Sequence, residues 1–207
     1  MTKPKVIAIL RGFDQATSLR LVEAYHKGGI EMVEVAFDQS APETWRETAK
    51  TIAAIKARFG KTLQVGAGTV LTLEQLELCV EAGGEYMVTP NVNAALIQAG
   101  VKRGLKVIAG AMTPSEAVAA WEAGASYVKI FPAGTLGPDY IRAIKIPLSH
   151  IPLLAFDGIT PDNASLFLKA GCIGVGVGGA LANRDLIAAG AYDQIEAIAR
   201  RFFTLCP

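Results

Sequence analysis

The chain has 207 residues, 51% hydrophobic and 19% charged, with a formal net charge of +1. High apolar content with so little net charge excludes a disordered chain, and the absence of a basic balance argues against nucleic acid as the main partner. No apolar run approaches the ~18 residues that cross a bilayer, so no membrane partner is expected.

Val6 to Leu10, which follows Met1-Thr2-Lys3-Pro4-Lys5, is too short for the apolar core of a signal peptide. Cys79, Cys172 and Cys206 are widely spaced and odd in number, and form neither a disulfide framework nor a metal-ligand pattern. A reducing, cytoplasmic location is expected from these features.

Val6 to Leu10 reads as the first strand. A short pattern then recurs along the chain: a charged residue, any residue, a glycine, a turn and an apolar run. Lys27-Gly28-Gly29 precedes Met32 to Val35, and Glu81-Ala82-Gly83 precedes Tyr86 to Val88. Lys102-Arg103-Gly104 precedes Val107 to Ala109, Glu122-Ala123-Gly124 precedes Tyr127 to Ile130, and Lys169-Ala170-Gly171 precedes Ile173 to Val175. Each repeat predicts a helix closed by glycine, a turn and a buried strand.

The third-position glycines are separated by 54, 21, 20 and 47 residues. The short gaps hold one strand–helix unit each. The long gaps hold two, and the missing strands are visible as Leu63 to Val65 and Leu153 to Ala155. Helix starts are expected at Ser40-Ala41-Pro42-Glu43, Thr72 to Gln75, Thr113 to Glu116 and Thr160-Pro161. A final amphipathic helix is expected from Tyr192 to Phe203, burying Ile195, Ile198, Phe202 and Phe203.

Eight alternating units predict an α/β fold, a single-domain (β/α)8 TIM barrel over residues 1–207, with a doubly wound open sheet as the alternative.

In such a barrel, chemistry sits at the C-terminal ends of the strands. Strands covered on both faces read as nearly continuous apolar runs, so a charge within one is an anomaly. Only Glu34 and Lys129 break the repeated strands, each five residues after its glycine. Alternation turns Val128 and Ile130 toward the helices and Lys129 into the barrel with Tyr127 and Phe131. Glu34 likewise points inward between Val33 and Val35.

An amine among apolar neighbours loses proton affinity and can condense with a carbonyl, while a nearby carboxyl moves the protons. A buried structural ion pair plugging the barrel is the alternative.

Arg11 ends the first strand, with a guanidinium suited to a carboxylate. Gly66-Ala67-Gly68-Thr69 and Thr89-Pro90-Asn91 end the third and fourth. Asp157-Gly158 and Gly178-Gly179 end the last two, where these barrels often bind phosphate. Tight packing of loop against strand is the other reading of those glycines.

These segments resemble the class I aldolases that cleave 2-keto-3-deoxy-6-phosphogluconate, its galactonate epimer or 4-hydroxy-2-oxoglutarate. The likeness is carried by Gly66-Ala67-Gly68-Thr69-Val70, Val88-Thr89-Pro90-Asn91, Val128-Lys129-Ile130-Phe131-Pro132 and Gly158-Ile159-Thr160-Pro161-Asp162-Asn163. Ala8 to Gly12 and Leu136-Gly137-Pro138-Asp139-Tyr140-Ile141 resemble the phosphogalactonate branch.

The resemblance implies Lys129 as Schiff-base lysine and Glu34 as general acid/base. It places Thr69 and Pro90 around a pyruvyl group and Arg11 on a carboxylate. It further implies a homotrimer without metal or cofactor, releasing pyruvate and an aldehyde from a 2-keto acid substrate. Three positions depart from the family pattern. Asp38 stands where the phosphogluconate branch has arginine, Asp157 replaces a glycine, and Gly179 replaces a phosphate-binding serine. An unphosphorylated substrate therefore stays open, as do a phosphosugar isomerase or epimerase and a non-catalytic ligand binder.

Overall fold

All five glycines singled out by the repeat are left-handed: φ is +94° at Gly29, +77° at Gly83, +78° at Gly104, +99° at Gly124 and +111° at Gly171. Only glycine adopts this conformation routinely, so each ends a helix and turns the chain back into the sheet. The structure is a computed structural model that describes residues 6–206. Met1 to Lys5, weighed above as part of a leader, lie outside them.

Eight parallel strands close into a barrel in sequence order: β1 (Val6–Leu10), β2 (Met32–Ala36), β3 (Gln64–Gly68), β4 (Tyr86–Val88), β5 (Lys106–Ala111), β6 (Tyr127–Ile130), β7 (Leu153–Phe156) and β8 (Val175–Val177). The open sheet is thereby excluded. The last strand starts two residues later than the expected Ile173.

The helices are α1 (Gln15–Lys27), α2 (Trp45–Phe59), α3 (Leu73–Glu81), α4 (Ala94–Lys102), α5 (Pro114–Glu122), α6 (Ala133–Lys145), α7 (Ala164–Lys169), α8 (Arg184–Ala188) and α9 (Tyr192–Leu205).

Thr72 and Thr113 form the expected capping boxes with Gln75 and Glu116. Ser40 does not. Its backbone N–H and hydroxyl both donate to the Asp38 carboxylate, and α2 starts only after a short 3-10 turn at Pro42–Thr44. A side chain already committed two residues upstream cannot cap downstream. Thr160 opens a turn, and α7 begins at Ala164. In α9, Ile195 and Phe202 are buried, but Phe203 is half-exposed against Gly29.

Two apolar groups divide the interior. Alternate strand residues such as Val33, Val35, Val128 and Ile130 pack outward with the helices. Ile7, Met32, Tyr86, Val88, Ile108, Tyr127, Leu154 and Phe156 fill the pore. Glu34 and Lys129 lie on the pore face, as strand alternation requires.

Candidate functional site

The strand register sets the two charges at one level. From Glu34, aligned residues run through Gly66 and Tyr86 to Lys106, and continue to Ala125 on the β6 side. In the other direction they run through Ile9 and, continued along β8 and β7, reach Ala133. Lys129 lies four residues from each end of this eight-residue offset. An eight-residue shear is the stagger of this barrel type, so the midpoint of the offset is level with Glu34 on the opposite wall.

Both side chains are buried, Glu34 to 2% exposure and Lys129 to 8%. Among the described residues no ion pair joins them, so the barrel is not plugged by a closed salt bridge. Burial is the main cause that pushes the Glu34 carboxyl above the usual carboxylate range, against the pull of Lys129 and Arg11. Burial likewise holds the Lys129 amine below the usual lysine range, opposed first by Glu34. The Lys129 Nζ stands 4.9 Å from the Phe156 ring centre and 5.2 Å from that of Phe131.

Glycines make the room. A Cβ on Gly68 would lie 2.5 Å from Glu34 Oε1, and one on Gly176 would lie 2.3 Å from the Phe156 ring. Above this level opens a cavity of about 760 Å³, walled by Arg11, Glu34, Lys129, Phe131, Asp157 and the loops after β7 and β8.

Arg11 donates to the Thr69 hydroxyl at 2.8 Å. Thr69 is left-handed, with φ +54°, an unusual state for a β-branched residue. Its carbonyl accepts from Gln39 Nε2, whose amide oxygen accepts from the buried Gln75. Thr69 therefore steadies Arg11 at the rim. Pro90 is not among the residues lining the cavity, but its carbonyl stands 2.3 Å from where a Cβ on Gly110, the inward-facing register partner of Lys129, would sit, which places it beside the Lys129 level. Asp38 is engaged by Ser40 and is likewise off the cavity wall.

The loop glycines divide. Gly158 lines the cavity, but it also packs on Gly134, where a Cβ would meet Cα at 2.8 Å, and is left-handed with φ +67°, so packing and backbone both require glycine there. A Cβ on Gly179 would meet nothing within 4 Å, and one on Gly178 only Ile9 at 3.9 Å. Their smallness keeps space clear rather than filling it. They do not open a helix, because α8 starts at Arg184, after a turn closed on the Gly178 carbonyl.

Several cavity residues escaped sequence reasoning, Phe156, Phe13 and Arg184 among them. Arg184 holds its guanidinium 5.2 Å from the Phe13 ring centre and reaches over the cavity. The signal was present in the Asn183 cap that follows β8. Phe13 carried none, since it lies in a loop.

Among the described residues no group of three or more His, Cys, Asp or Glu side chains is placed to hold a metal. No helix there is long and apolar enough to cross a membrane.

Residues 1–198 match the family described as KDPG and KHG aldolase. The chain belongs to that family. The 2-dehydro-3-deoxy-6-phosphogalactonate aldolase of Escherichia coli K12 is 39% identical over 178 residues, covering 86% of this chain and 84% of that protein. The KHG/KDPG aldolase of the same strain is 31% identical over 185 residues, covering 87% and 82%. A solved structure described as native KDPGal superposes with a TM-score of 0.87 at 36% identity, covering 99% of this chain and 95% of that one. The aldolase resemblance of the motifs and the lean toward the phosphogalactonate branch agree with these findings.

Proposed function

We propose that this chain is a class I aldolase that cleaves the C3–C4 bond of a 2-keto-3-deoxy-6-phospho sugar acid to pyruvate and glyceraldehyde 3-phosphate. The observation that carries the reading is a buried amine and a buried carboxyl facing each other at one level, with an open cavity above and no ion pair between them.

The neutral Lys129 Nζ adds to the C2 carbonyl. Glu34 gives its proton to the resulting hydroxyl, which leaves as water and creates an iminium. The Glu34 carboxylate then takes the proton of the C4 hydroxyl. The C3–C4 pair flows into the iminium, the aldehyde departs, and protonation at C3 followed by hydrolysis frees pyruvate and the lysine. Arg11, held by Thr69, faces the substrate carboxylate. Phe131 and Phe156 keep the amine in an apolar setting.

Arg184 and the clear space at Gly178 and Gly179 receive the phosphate. Two unit charges 4 Å apart interact by roughly 4 kcal/mol at an effective dielectric of 20. Asp157, on the same wall, repels a phosphate on that scale, and Arg184 attracts it on the same scale. Arg184 thus offsets Asp157, and the phosphogalactonate and phosphogluconate aldolases among the relatives support the phosphorylated substrate over a second reading, which rests on Asp157: the same cleavage of an unphosphorylated 2-keto-3-deoxy acid or of 4-hydroxy-2-oxoglutarate. The ratio of kcat/KM for the two substrate forms separates them.

Borohydride reduction in the presence of pyruvate tests the chemistry itself. A stable mass increase on Lys129 is expected. An isomerase or epimerase using Glu34 alone leaves none. A homotrimer acting in cytoplasmic carbohydrate metabolism completes the proposal. The exposed Leu71, Leu73, Met112 and Phe131 around the barrel mouth support association, and light scattering at three times the 21.8 kDa chain mass tests it.

A further inference from the structure

Two polar atoms sealed in the pore, Glu34 Oε2 and the Tyr86 hydroxyl, have no hydrogen-bond partner on the described chain. Tyr86 is wholly buried and Glu34 nearly so. An unsatisfied pair in a well-packed core calls for a physical reason, because each such group loses its hydration without return.

Their placement supplies one. The register sets Glu34, Gly66 and Tyr86 side by side on β2, β3 and β4. Gly66 puts no side chain between its neighbours. The Tyr86 ring lies over it, with Cδ2 and Cε2 at 2.5 and 2.6 Å from where a Cβ would stand. The Glu34 carboxyl lies over Gly68, the next inward position of the same strand. The Tyr86 ring and the Glu34 carboxyl thus lie over successive inward glycines of one strand, without a direct bond between them. Buried waters characteristically bridge such otherwise unpaired groups.

We propose that Tyr86 is a positioning residue for Glu34: its phenol donates to one water bound in the pore, and that water donates to Glu34 Oε2, holding the carboxyl toward the substrate. The catalytic consequence rests on the aldolase reading above; the hydrogen-bonded link itself does not.

Donation to the carboxylate favours its ionised form. It therefore opposes the burial that raises Glu34, and loss of the phenol should raise Glu34 further. The other groups facing this pair are Arg11 at the end of β1, Tyr127 and Lys129 on β6, Asp157 after β7 and Lys106 at the base of β5. Cys79 and Glu85 lie near the Tyr86 side. At this level β3 and β8 bring only glycines. Tyr86→Phe alters none of these groups.

The test is titration of the Glu34 side-chain carboxyl by 13C NMR in the resting full-length protein, wild type against Tyr86→Phe, with Glu34→Gln used to assign the signal. The Glu34 midpoint is expected to rise by about half a unit or more, with kcat reduced about threefold, its pH profile displaced in the same direction, and KM unchanged. Borohydride trapping of pyruvate on Lys129 is run in parallel. Absence of trapping in the wild type overturns the aldolase reading, while the titration still decides the link. Coincident Glu34 midpoints in the two proteins overturn the proposal. If Tyr86→Phe does not fold, a high-resolution crystal structure of the wild type decides: density for a water within hydrogen-bond reach of both oxygens upholds it, and an apolar gap overturns it.

Discussion

Gly68→Ala tests whether the Glu34 carboxyl must stand where it does. Gly68 is not left-handed, so its backbone accepts alanine. The added Cβ would lie 2.5 Å from Glu34 Oε1, 3.0 Å from its carboxyl carbon and 3.3 Å from the Ala36 Cα, where ordinary contact begins at 3.4 Å. The Ala36 overlap is negligible, but Oε1 must retreat by about 0.9 Å. Overpacking of this kind costs about 1–3 kcal/mol. In a chain of this length each 1 kcal/mol lowers Tm by about 2–4 °C. Misplacing a reacting group by about 1 Å costs on the order of 100-fold in rate. The variant should therefore fold, melt a few degrees lower and lose kcat by about two orders of magnitude, as read by lactate dehydrogenase-coupled pyruvate release. Pyruvate should still be trapped on Lys129 at long incubation, because the amine is untouched. Wild-type kcat in a variant whose Glu34 is seen displaced would refute the assignment of Glu34 as the proton carrier.

Lys129→Met should abolish turnover and borohydride trapping while leaving the circular dichroism spectrum unchanged. The wild-type amine is depressed by burial, so between its folded value and the ordinary lysine value the unfolded chain binds more protons and stability rises with pH. The penalty of burying the amine is full below the folded value and fades as pH approaches the ordinary one. The Tm of the wild type should thus gain on that of Lys129→Met as pH rises from neutral toward about 10, and a constant difference would show that the amine is not depressed. Arg184→Ala should raise KM for the phosphorylated substrate about tenfold and leave that for the unphosphorylated analogue within about twofold, consistent with a partly exposed charge; equal effects on both would remove Arg184 from the phosphate end.

Local signals made the strands and their order legible. A left-handed turn needs glycine wherever it occurs, so Gly29, Gly83, Gly104, Gly124 and Gly171 marked five helix ends without reference to anything distant. Thr72 and Thr113 were readable for the same reason, because their partners lie three residues away. Ser40 misled because Asp38 competes for it from two residues upstream, a local contest that the capping pattern does not weigh. Phe203 carries the right apolar character but meets solvent beside Gly29. The anomaly of a charge in a buried strand was enough to single out Glu34 and Lys129.

What the chain alone determined was therefore an eight-unit barrel and the identity of Glu34 and Lys129 as charged residues within its buried strands, since both follow from short-range conformation and from the cost of placing charge in an apolar strand. The closed tertiary structure decided the rest. The stagger of the ring brings residues 95 positions apart to one level, the glycines of β3 open the space that the Glu34 carboxyl and the Tyr86 ring occupy, and the last loops carry Arg184 over the same cavity. Those relations depend on distances through space between strands, which no spacing along the chain encodes.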